Sequence, residues 1–570
     1  MPDPTLISQL QNIVGSRHVL TTERATAPYR KGFREGQGPA LAVVKPKDLW
    51  QQWQVLEACV ASGVIVIMQA ANTGLTGGST PTEGCDRKTV IINTSRIGDI
   101  QVLEEQNQIV AFSGASLFSL EKALSPYGRV PHSVIGSSCI GASIVGGVCN
   151  NSGGALVERG PAFTELALYA KVNKDGSLTL VNNLDIELGA SPKEILTNLQ
   201  SHNYQKTDVK NSDKLASDRE YANWVRETHK DTPARFNADP RRLHEASGCA
   251  GKLAVFAVRV DTFLKNEQET TFYIGTNSTA ALESVRKVLL EQAKYLPVSA
   301  EYLHRDIFTL ADRYGRETVL LIKTLGTNWL PIFFKVKRQM EAVCQRIPFL
   351  GRSFVNKLVH HFAGLFPSQT PAKLHDWNQR FEHQLLLTVK GKSVVETQKF
   401  LTDIKQNSDL DYFICTEKEA KSAYLLRFSA AGATVQYAGV NTKEVESIVA
   451  LDIALKRNDA DWFERLPDDI SSKLVKAFYY GHFLCHVFHQ DYLVRKGEDP
   501  EQVKNSLLNL LETRGAEYPA EHNVGHHYVA KPSLANNYRK LDPTNTLNAG
   551  IGGMSKKAYY GSSDDNVSHC

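Results

Sequence analysis

The stretch VIVIMQAANTGLTGGSTP, residues 64–81, changes character halfway. Its first part, VIVIMQA (64–70), is an apolar run of the kind that forms a strand buried on both faces. The rest, ANTGLTGGSTP (71–81), has three glycines and no large apolar side chain except Leu75. A buried strand that runs straight into a glycine-rich loop is how α/β folds build ligand sites at the carboxyl ends of their strands. The neighbouring sequence fits such a unit. AVVKP (42–46) reads as a strand that stops at Pro46, and TVIINTSRI (89–97) reads as the next strand. Between them, residues 47–62 place Leu49, Trp53, Leu56, Cys59 and Val60 at helical spacing. Residues 4–14 read as a short amphipathic helix.

Two further small-residue stretches follow. SLFSLEKALSPYG (116–128) reads as a helix and leads to GSSCIGASIVGGVCNNSGG (136–154), which is dense in Gly and Ser. SGCAGKLAVFAVRVDTF (247–263) is a run of small residues followed by an apolar strand. Neither G-x-G-x-x-G nor the P-loop signature G-x-x-x-x-G-K-[ST] occurs. Successive backbone N–H groups in glycine- and serine-rich turns still form a concavity that suits a pyrophosphate. A single loop of this kind is an ordinary tight turn; three in one region argue for a ligand.

The bulk properties narrow the class. A chain of 570 residues, 42% hydrophobic and 22% charged, has enough apolar material for sizeable cores and is not disordered. Its length suggests about three or four domains. The nine cysteines are scattered and form no C-x-x-C pair, so reduced thiols in a cytosolic protein are expected rather than a disulfide framework or a zinc ribbon. The first residues, MPDPTLISQLQNIVGS, lack the basic and apolar regions of a signal peptide. No run of about 18 apolar residues occurs, so any membrane association is expected at the surface.

Two later regions carry other chemistry. GHFLCHVFHQD (481–491) holds His482, His486 and His489, and EHNVGHH (521–527) holds Glu521, His522, His526 and His527. Residues 331–374 contain seven Lys/Arg and one acid, Glu341, interleaved with Phe333, Phe334, Phe349, Leu350, Phe354, Leu358, Phe362, Leu365 and Phe366. Interleaved aromatic and aliphatic groups in a basic segment favour an anionic membrane surface over nucleic acid. From residue 443 onward the chain reads as helical and charged up to the histidines.

The order IVIMQAANTGLTGGSTP, HSVIGSSCIGASIVGGVCNNSGG and SGCAGKLAVFAVRVDTF resembles the FAD-binding domain of the vanillyl-alcohol-oxidase/PCMH superfamily. Within it, the chain resembles the bacterial respiratory, quinone-dependent D-lactate dehydrogenases nearly end to end. The resemblance includes YRKGFREGQGPALAVVKP (29–46), TPARFNADPRRLHEASGCAGKLAVFAVR (232–259), YYGHFLCHVFHQDY (479–492), YPAEHNVGH (518–526) and DPTNTLNAGIG (542–552). It implies an α+β protein: a PCMH-type FAD-binding domain of two α/β subdomains, an α+β cap domain and a basic membrane-binding lobe. The implied division is 1–263 for the FAD domain, 264–306 for the first part of the cap and 307–384 for the lobe. Residues 385–514 would complete the cap, with part of the lobe near 419–442, and 515–570 would return to the FAD domain.

The resemblance also implies residue roles. Ala70, Ala71, Asn72, Thr73, Gly74, Gly78 and Ser79 would hold the pyrophosphate of a non-covalent FAD. Gly136, Ser137, Ser143 and Gly153 would contact the pyrophosphate and ribityl chain, and Val255 and Asn548 would meet the cofactor again. His522 would be the base and flavin N5 the hydride acceptor. Arg427, read as lying in an apolar strand, would hold the substrate carboxylate. His482, His489 and Glu521 would bind a divalent metal. The residues leave that metal open. Relatives have a Gly-Asp-Gly-Asn-like turn between the two histidines, whereas this chain has Phe483-Leu484-Cys485-His486-Val487-Phe488. On a plain strand His482 and His489 point to opposite faces, so one metal needs a bulge or turn between them. His486, His526 and His527 read as ordinary hydrogen-bonded histidines.

The expected function is oxidation of D-lactate, or a similar 2-hydroxy acid, with electrons passed to membrane quinone at the cytoplasmic face of the bacterial inner membrane. No nucleic-acid partner is expected. Three alternatives remain at this stage. Another FAD-linked 2-hydroxyacid dehydrogenase or oxidase would use the same loops. A metal-dependent hydrolase built on the histidines leaves three glycine loops without a role. A non-enzymatic membrane-binding protein leaves Glu521 and His522 without one.

Overall fold

The computed structural model describes residues 4–132, 141–265, 268–325 and 354–561, with isolated positions between 326 and 353. The N-terminal half carries two sheets. The first has the order Val19–Leu20, Ala42–Val44, Thr89–Asn93, Ile65–Gln69, and its last three strands are parallel. The connection from Ala42–Val44 to Ile65–Gln69 is the helix Leu49–Ala61, N-capped by Asp48, whose carboxylate accepts from the Gln51 N–H at 2.8 Å. Leu49, Trp53, Leu56 and Cys59 are buried along the helix face against the sheet.

The second sheet is antiparallel, in the order Ile100–Val102, Gln108–Phe112, Ala254–Asp261, Ala167–Val172, Leu178–Asn182. Its central strand, Ala254–Asp261, is buried along all but its last residue, in keeping with its apolar reading apart from Arg259. The C-terminal segment comes back to the first sheet. Val66 N–H donates to Thr546 O and Asn548 N–H to Val66 O, both at 2.9 Å, so residues 546–548 lie parallel to the strand Ile65–Gln69.

The third sheet has seven antiparallel strands, in the order Leu410–Ile414, Glu269–Thr276, His383–Lys390, Ser299–His304, Leu474–His482, Val487–Arg495, Val445–Ala454. Helices Arg305–Tyr314, Ala372–Arg380 and Glu417–Val440 pack on one face, over Leu303, Leu386, Phe478, Tyr480 and Leu493. Helices Thr279–Glu291 and Pro500–Thr513 belong to the other face.

Two expectations are corrected here. The region after 443 is strand first: VESIVALDIA forms Val445–Ala454, and the helices Asp468–Ser471 and Pro500–Thr513 come later. Val445, Ile448, Val449 and Ile453 are β-branched and favour a strand there, which outweighs the local charge. Arg427 lies in the helix Glu417–Val440, not in a strand. A Thr416/Glu419 capping box starts this helix, and Ala423, Leu426, Ala430 and Ala433 recur at helical spacing on its buried face.

Of the basic segment 331–374, Phe334, Phe349 and Leu350 lie outside the described residues. Its later part forms the helix Phe354–Gly364, and Phe354, Phe362, Leu365 and Phe366 are exposed. Among the described residues no helix is long and apolar enough to cross a membrane.

Candidate active site

The geometry of the site follows from strand register. The strand Leu474–His482 ends in a short 3₁₀ turn, Phe483–Cys485; His486 then takes a left-handed conformation with φ 54°, and the next strand begins at Val487. The hairpin pairs His482 with Val487 and Tyr480 with His489. Directly paired residues project to the same face of a sheet, so His482 and His489 share a face although seven residues apart. The turn that the sequence demanded is this hairpin. On the flanking strands, Glu301 pairs with His482 and Asp452 with His489. One face of the sheet therefore carries the row Glu301, His482, His489, Asp452.

Glu521 and His522 dock on this row. The Asp452 carboxylate accepts from the backbone N–H groups of Glu521 at 2.7 Å and His522 at 3.1 Å. The same oxygen lies 3.0 Å from His522 Nδ1. Asp452 thus fixes the His522 ring and leaves Nε2 as the proton acceptor. His482 is held from both sides, with Nδ1 2.6 Å from Glu301 and Nε2 3.2 Å from Glu521. The other Glu521 oxygen is bonded to buried Arg235, which also donates to Gly154 O at 2.8 Å. Arg427 Nε lies 2.8 Å from Glu301, and its guanidinium stands over the Tyr480 ring at 4.9 Å.

The charges sort themselves accordingly. Burial disfavours a charged His482, but Glu301 and Glu521 outweigh it and push its pKa up to about 10. Burial dominates at His489 and, with Arg427 and His482 nearby, takes it down to about 3 despite Asp452. Burial would protonate Glu521, yet Arg235 and His482 hold it well below the usual carboxylate range. His522 is raised, because Asp452 overcomes burial. One imidazole is thus kept neutral and one carboxylate ionised. The ligand atoms of His482, His489 and Glu521 lie within 4.8 Å of one another, and this donor set suits a divalent metal with an open position.

The glycine loops face this cluster. A side chain at Gly153 would place its Cβ 2.5 Å from Glu521 Oε1, and one at Gly78 would place it 2.4 Å from the Asn523 amide. In the first loop, Asn72 adopts φ 54° and accepts from Ser79 Oγ at 2.9 Å, while Ala70 O accepts from Asn93 at 3.0 Å. Ala71 and Gly74 are exposed and Thr73 is half-buried. Ser143 caps the short helix Ile144–Cys149, accepting from Gly146 N–H at 3.0 Å. Val255 is buried in its strand, and its carbonyl accepts from Gln52 at 3.3 Å. Asn548 joins the loops: its amide donates to Gly78 O at 2.8 Å and Ala250 O at 2.7 Å. Gly136 and Ser137 lie outside the described residues.

These residues fit a flavin. A Cβ on Gly74 or Gly141 would meet only open space, which leaves room for a ligand against both loops. The buried Asn548 Oδ1 has no donor among the described residues, so it can accept from a bound group.

His526 bonds Thr80 O at 3.0 Å, His527 bonds Glu35 at 2.7 Å, and His486 lies 3.4 Å from Glu283. All three have structural partners, in keeping with their plain reading. Glu301, Asp452 and Arg235 escaped the sequence reading. The signal was available for the first two: each is an acid on a buried stretch of strand, Glu301 within SAEYLH and Asp452 within IVALDIA.

The matches to known families define the class, FAD-dependent oxidoreductases, on a fold of PCMH type. Residues 40–181 match the model of an FAD binding domain, and residues 271–560 match that of "D-lactate dehydrogenase, membrane binding". Among solved structures, p-cresol methylhydroxylase is similar at TM-score 0.57 and 13% identity, over 96% of both chains. The 4-ethylphenol oxidase of Gulosibacter chungangensis is similar at TM-score 0.58 and 13% identity, over 97% of this chain and 98% of its own. At that identity they speak for the fold alone. The chain belongs to the quinone-dependent D-lactate dehydrogenase family. It is 51% identical to that enzyme of Escherichia coli K12 over 97% of both chains, and 50% identical to that of Haemophilus influenzae over 97% of this chain and 99% of the relative.

Proposed function

We propose that this chain oxidises D-lactate to pyruvate and passes the electrons to a membrane quinone. FAD, when bound in the glycine loops, supplies the acceptor for the Cα hydride. The protein's task is to take the hydroxyl proton and hold the substrate. His522 Nε2 accepts that proton, and the resulting imidazolium is stabilised by Asp452 at Nδ1. Arg427 supplies positive charge for the substrate carboxylate, with Glu301 and the Tyr480 ring fixing its guanidinium. His482, His489 and Glu521 would hold a divalent metal, which supplies positive charge beside the substrate oxygen. Without a metal, a proton on His482 satisfies the two flanking carboxylates instead.

The observation that carries this reading is the contact of Gly153 with Glu521, which places the second glycine loop directly against the acid–base cluster. Ala70 to Gly74, Gly78, Ser79, Ser143, Gly153, Val255 and Asn548 would line the cofactor. The flavin domain at 1–263 is supported by the sheets, since the second sheet ends at Asp261 and the third begins at Glu269. The remaining divisions, 264–306, 307–384, 385–514 and 515–570, rest on the resemblance, and the one at 384 falls inside the strand His383–Lys390.

For the membrane, the exposed Phe362, Leu365 and Phe366 with the Lys/Arg of 331–374 suit anionic headgroups at the cytoplasmic face. A panel of D- and L-2-hydroxy acids, each with quinone and with oxygen as acceptor, tests the function. D-lactate with quinone should give the highest kcat/KM. A higher value with oxygen, or with another acid, would assign the chain to a different flavin-linked activity. Metal analysis of the purified protein settles the occupancy of His482, His489 and Glu521.

A further inference from the structure

The segment YRKGFREGQG (29–38) has no part in the mechanism above, yet it reaches the site. Gly32 N–H donates to Gly36 O at 2.8 Å, and Lys31 pairs with Gln37, closing a tight loop with Arg34 and Glu35 at its tip. Gly36 has φ 84°, and a Cβ there would lie 2.9 Å from Gly77 Cα, so the loop presses on the first flavin loop. Glu35 binds His527 at 2.7 Å on the other side. This clamping projects Arg34 towards the helix Glu417–Val440 and the active-site face of the seven-stranded sheet.

Arg34 is 18% exposed and poorly satisfied. Its one hydrogen bond among the described residues is from Nη2 to Ala431 O at 3.3 Å, one helical turn beyond Arg427. Its nearest carboxylate among the described residues is Asp491, whose Oδ1 lies 3.9 Å from Nη1, beyond hydrogen-bond reach, while Oδ2 accepts from Tyr480 OH at 3.0 Å. The Tyr480 ring lies 5.5 Å from that of His489 and under the Arg427 guanidinium. Arg235 and Arg427 are bound closely to Glu521 and Glu301. Arg34 is thus an under-bonded guanidinium beside the cluster, reaching the helix of Arg427 on one side and the strand of His489 on the other. A 2-hydroxy acid carries its carboxylate one carbon from the hydroxyl, so a cation that binds it must stand close to the base.

We infer that Arg34 is the second arm of a two-arginine clamp, binding the carboxylate of the 2-hydroxy acid together with Arg427. The assignment rests on the 2-hydroxy acid reading above. A guanidinium suits it because two parallel N–H donors match a carboxylate, which an ammonium cannot imitate. The clamp also joins the halves of the molecule, since one arm comes from the flavin side and the other from the helix over the third sheet.

The test is anaerobic flavin reduction and steady-state kinetics of full-length Arg34→Gln and Arg34→Lys, with flavin content measured for each. Losing a charged hydrogen-bonded contact predicts a KM for D-lactate raised about 10- to 100-fold in R34Q, with kcat within a few-fold and flavin content unchanged. R34K should fall between R34Q and the parent chain, and added guanidinium should partly restore Arg34→Ala. (R)-1,2-Propanediol, which lacks the carboxylate, should be handled equally by parent and variants. An unchanged KM in R34Q, or an equal loss for both substrates, would overturn the clamp in favour of an interdomain ion pair. Loss of flavin from both R34Q and R34K would do the same. If the parent chain itself is not reduced by any 2-hydroxy acid, the functional reading fails, and the Arg34 assignment fails with it through that separate control.

Discussion

The two halves of this molecule offer a ligand different things. The N-terminal half offers backbone: a side chain at Gly77, Gly78 or Gly153 would strike a neighbour, and one at Gly74 would meet open space. The half built on the seven-stranded sheet offers side chains, with Glu301, His482, His489 and Asp452 set in a row by register. One half tolerates only small residues and the other only particular ionisable ones. Binding and chemistry should therefore be separable by mutation.

The strongest way to break the comparison is at the base. His522→Ala should slow flavin reduction by D-lactate about 10²- to 10⁴-fold, the usual range for a positioned acid–base group, with flavin content unchanged. Stopped-flow absorbance checks this, and loss of flavin in that variant would show that the halves are not separable. A smaller effect, about 10- to 100-fold, is expected for Asp452→Asn, which weakens the orientation of His522 without removing it. The base must be neutral to act, and Asp452 raises its proton affinity. The acid limb of kcat/KM should therefore lie above pH ~6.5 in the parent chain and move down in D452N.

The side-chain half should also show in stability. In metal-free protein the folded pKa of His482 is about 10, above its unfolded value near 6.5. The stability from its two carboxylates is fully present below about pH 6.5 and is lost as pH rises towards about 10. The Tm difference between the parent chain and His482→Gln should shrink over that window. Added divalent metal should remove the trend if these residues bind it, because binding requires the neutral imidazole. The smallest effect on chemistry is expected at the exposed side chains that end the basic segment. Phe362→Ser with Phe366→Ser should weaken binding to anionic vesicles several-fold or more, each ring being worth about 1.5–3 kcal/mol when buried. Flavin reduction in solution should be unchanged.

The same contrast explains what the sequence could tell. Glycine density after an apolar strand is written locally, so the turns at 71–81 and from 141 to 154 are legible in the sequence. Side-chain sites written by register are not local. Glu301 meets His482 across 181 residues, and Asp452 is met by a loop 69 residues on. Seven-residue spacing looked adverse for His482 and His489 because strand alternation was applied through a turn, where a hairpin restores the shared face. The short apolar run AYLLRF around Arg427, followed by small residues, reads as a strand, although the residues form a helix. The spacing of Ala423, Leu426, Ala430 and Ala433 held the helical signal.

The central claim is that the glycine loops and the histidine cluster form one redox site. The direct measurement is a visible spectrum of the purified full-length protein, recorded anaerobically before and after D-lactate. The account predicts flavin absorbance that bleaches on addition of D-lactate. Absence of flavin, or a flavin spectrum that no 2-hydroxy acid alters, would contradict it.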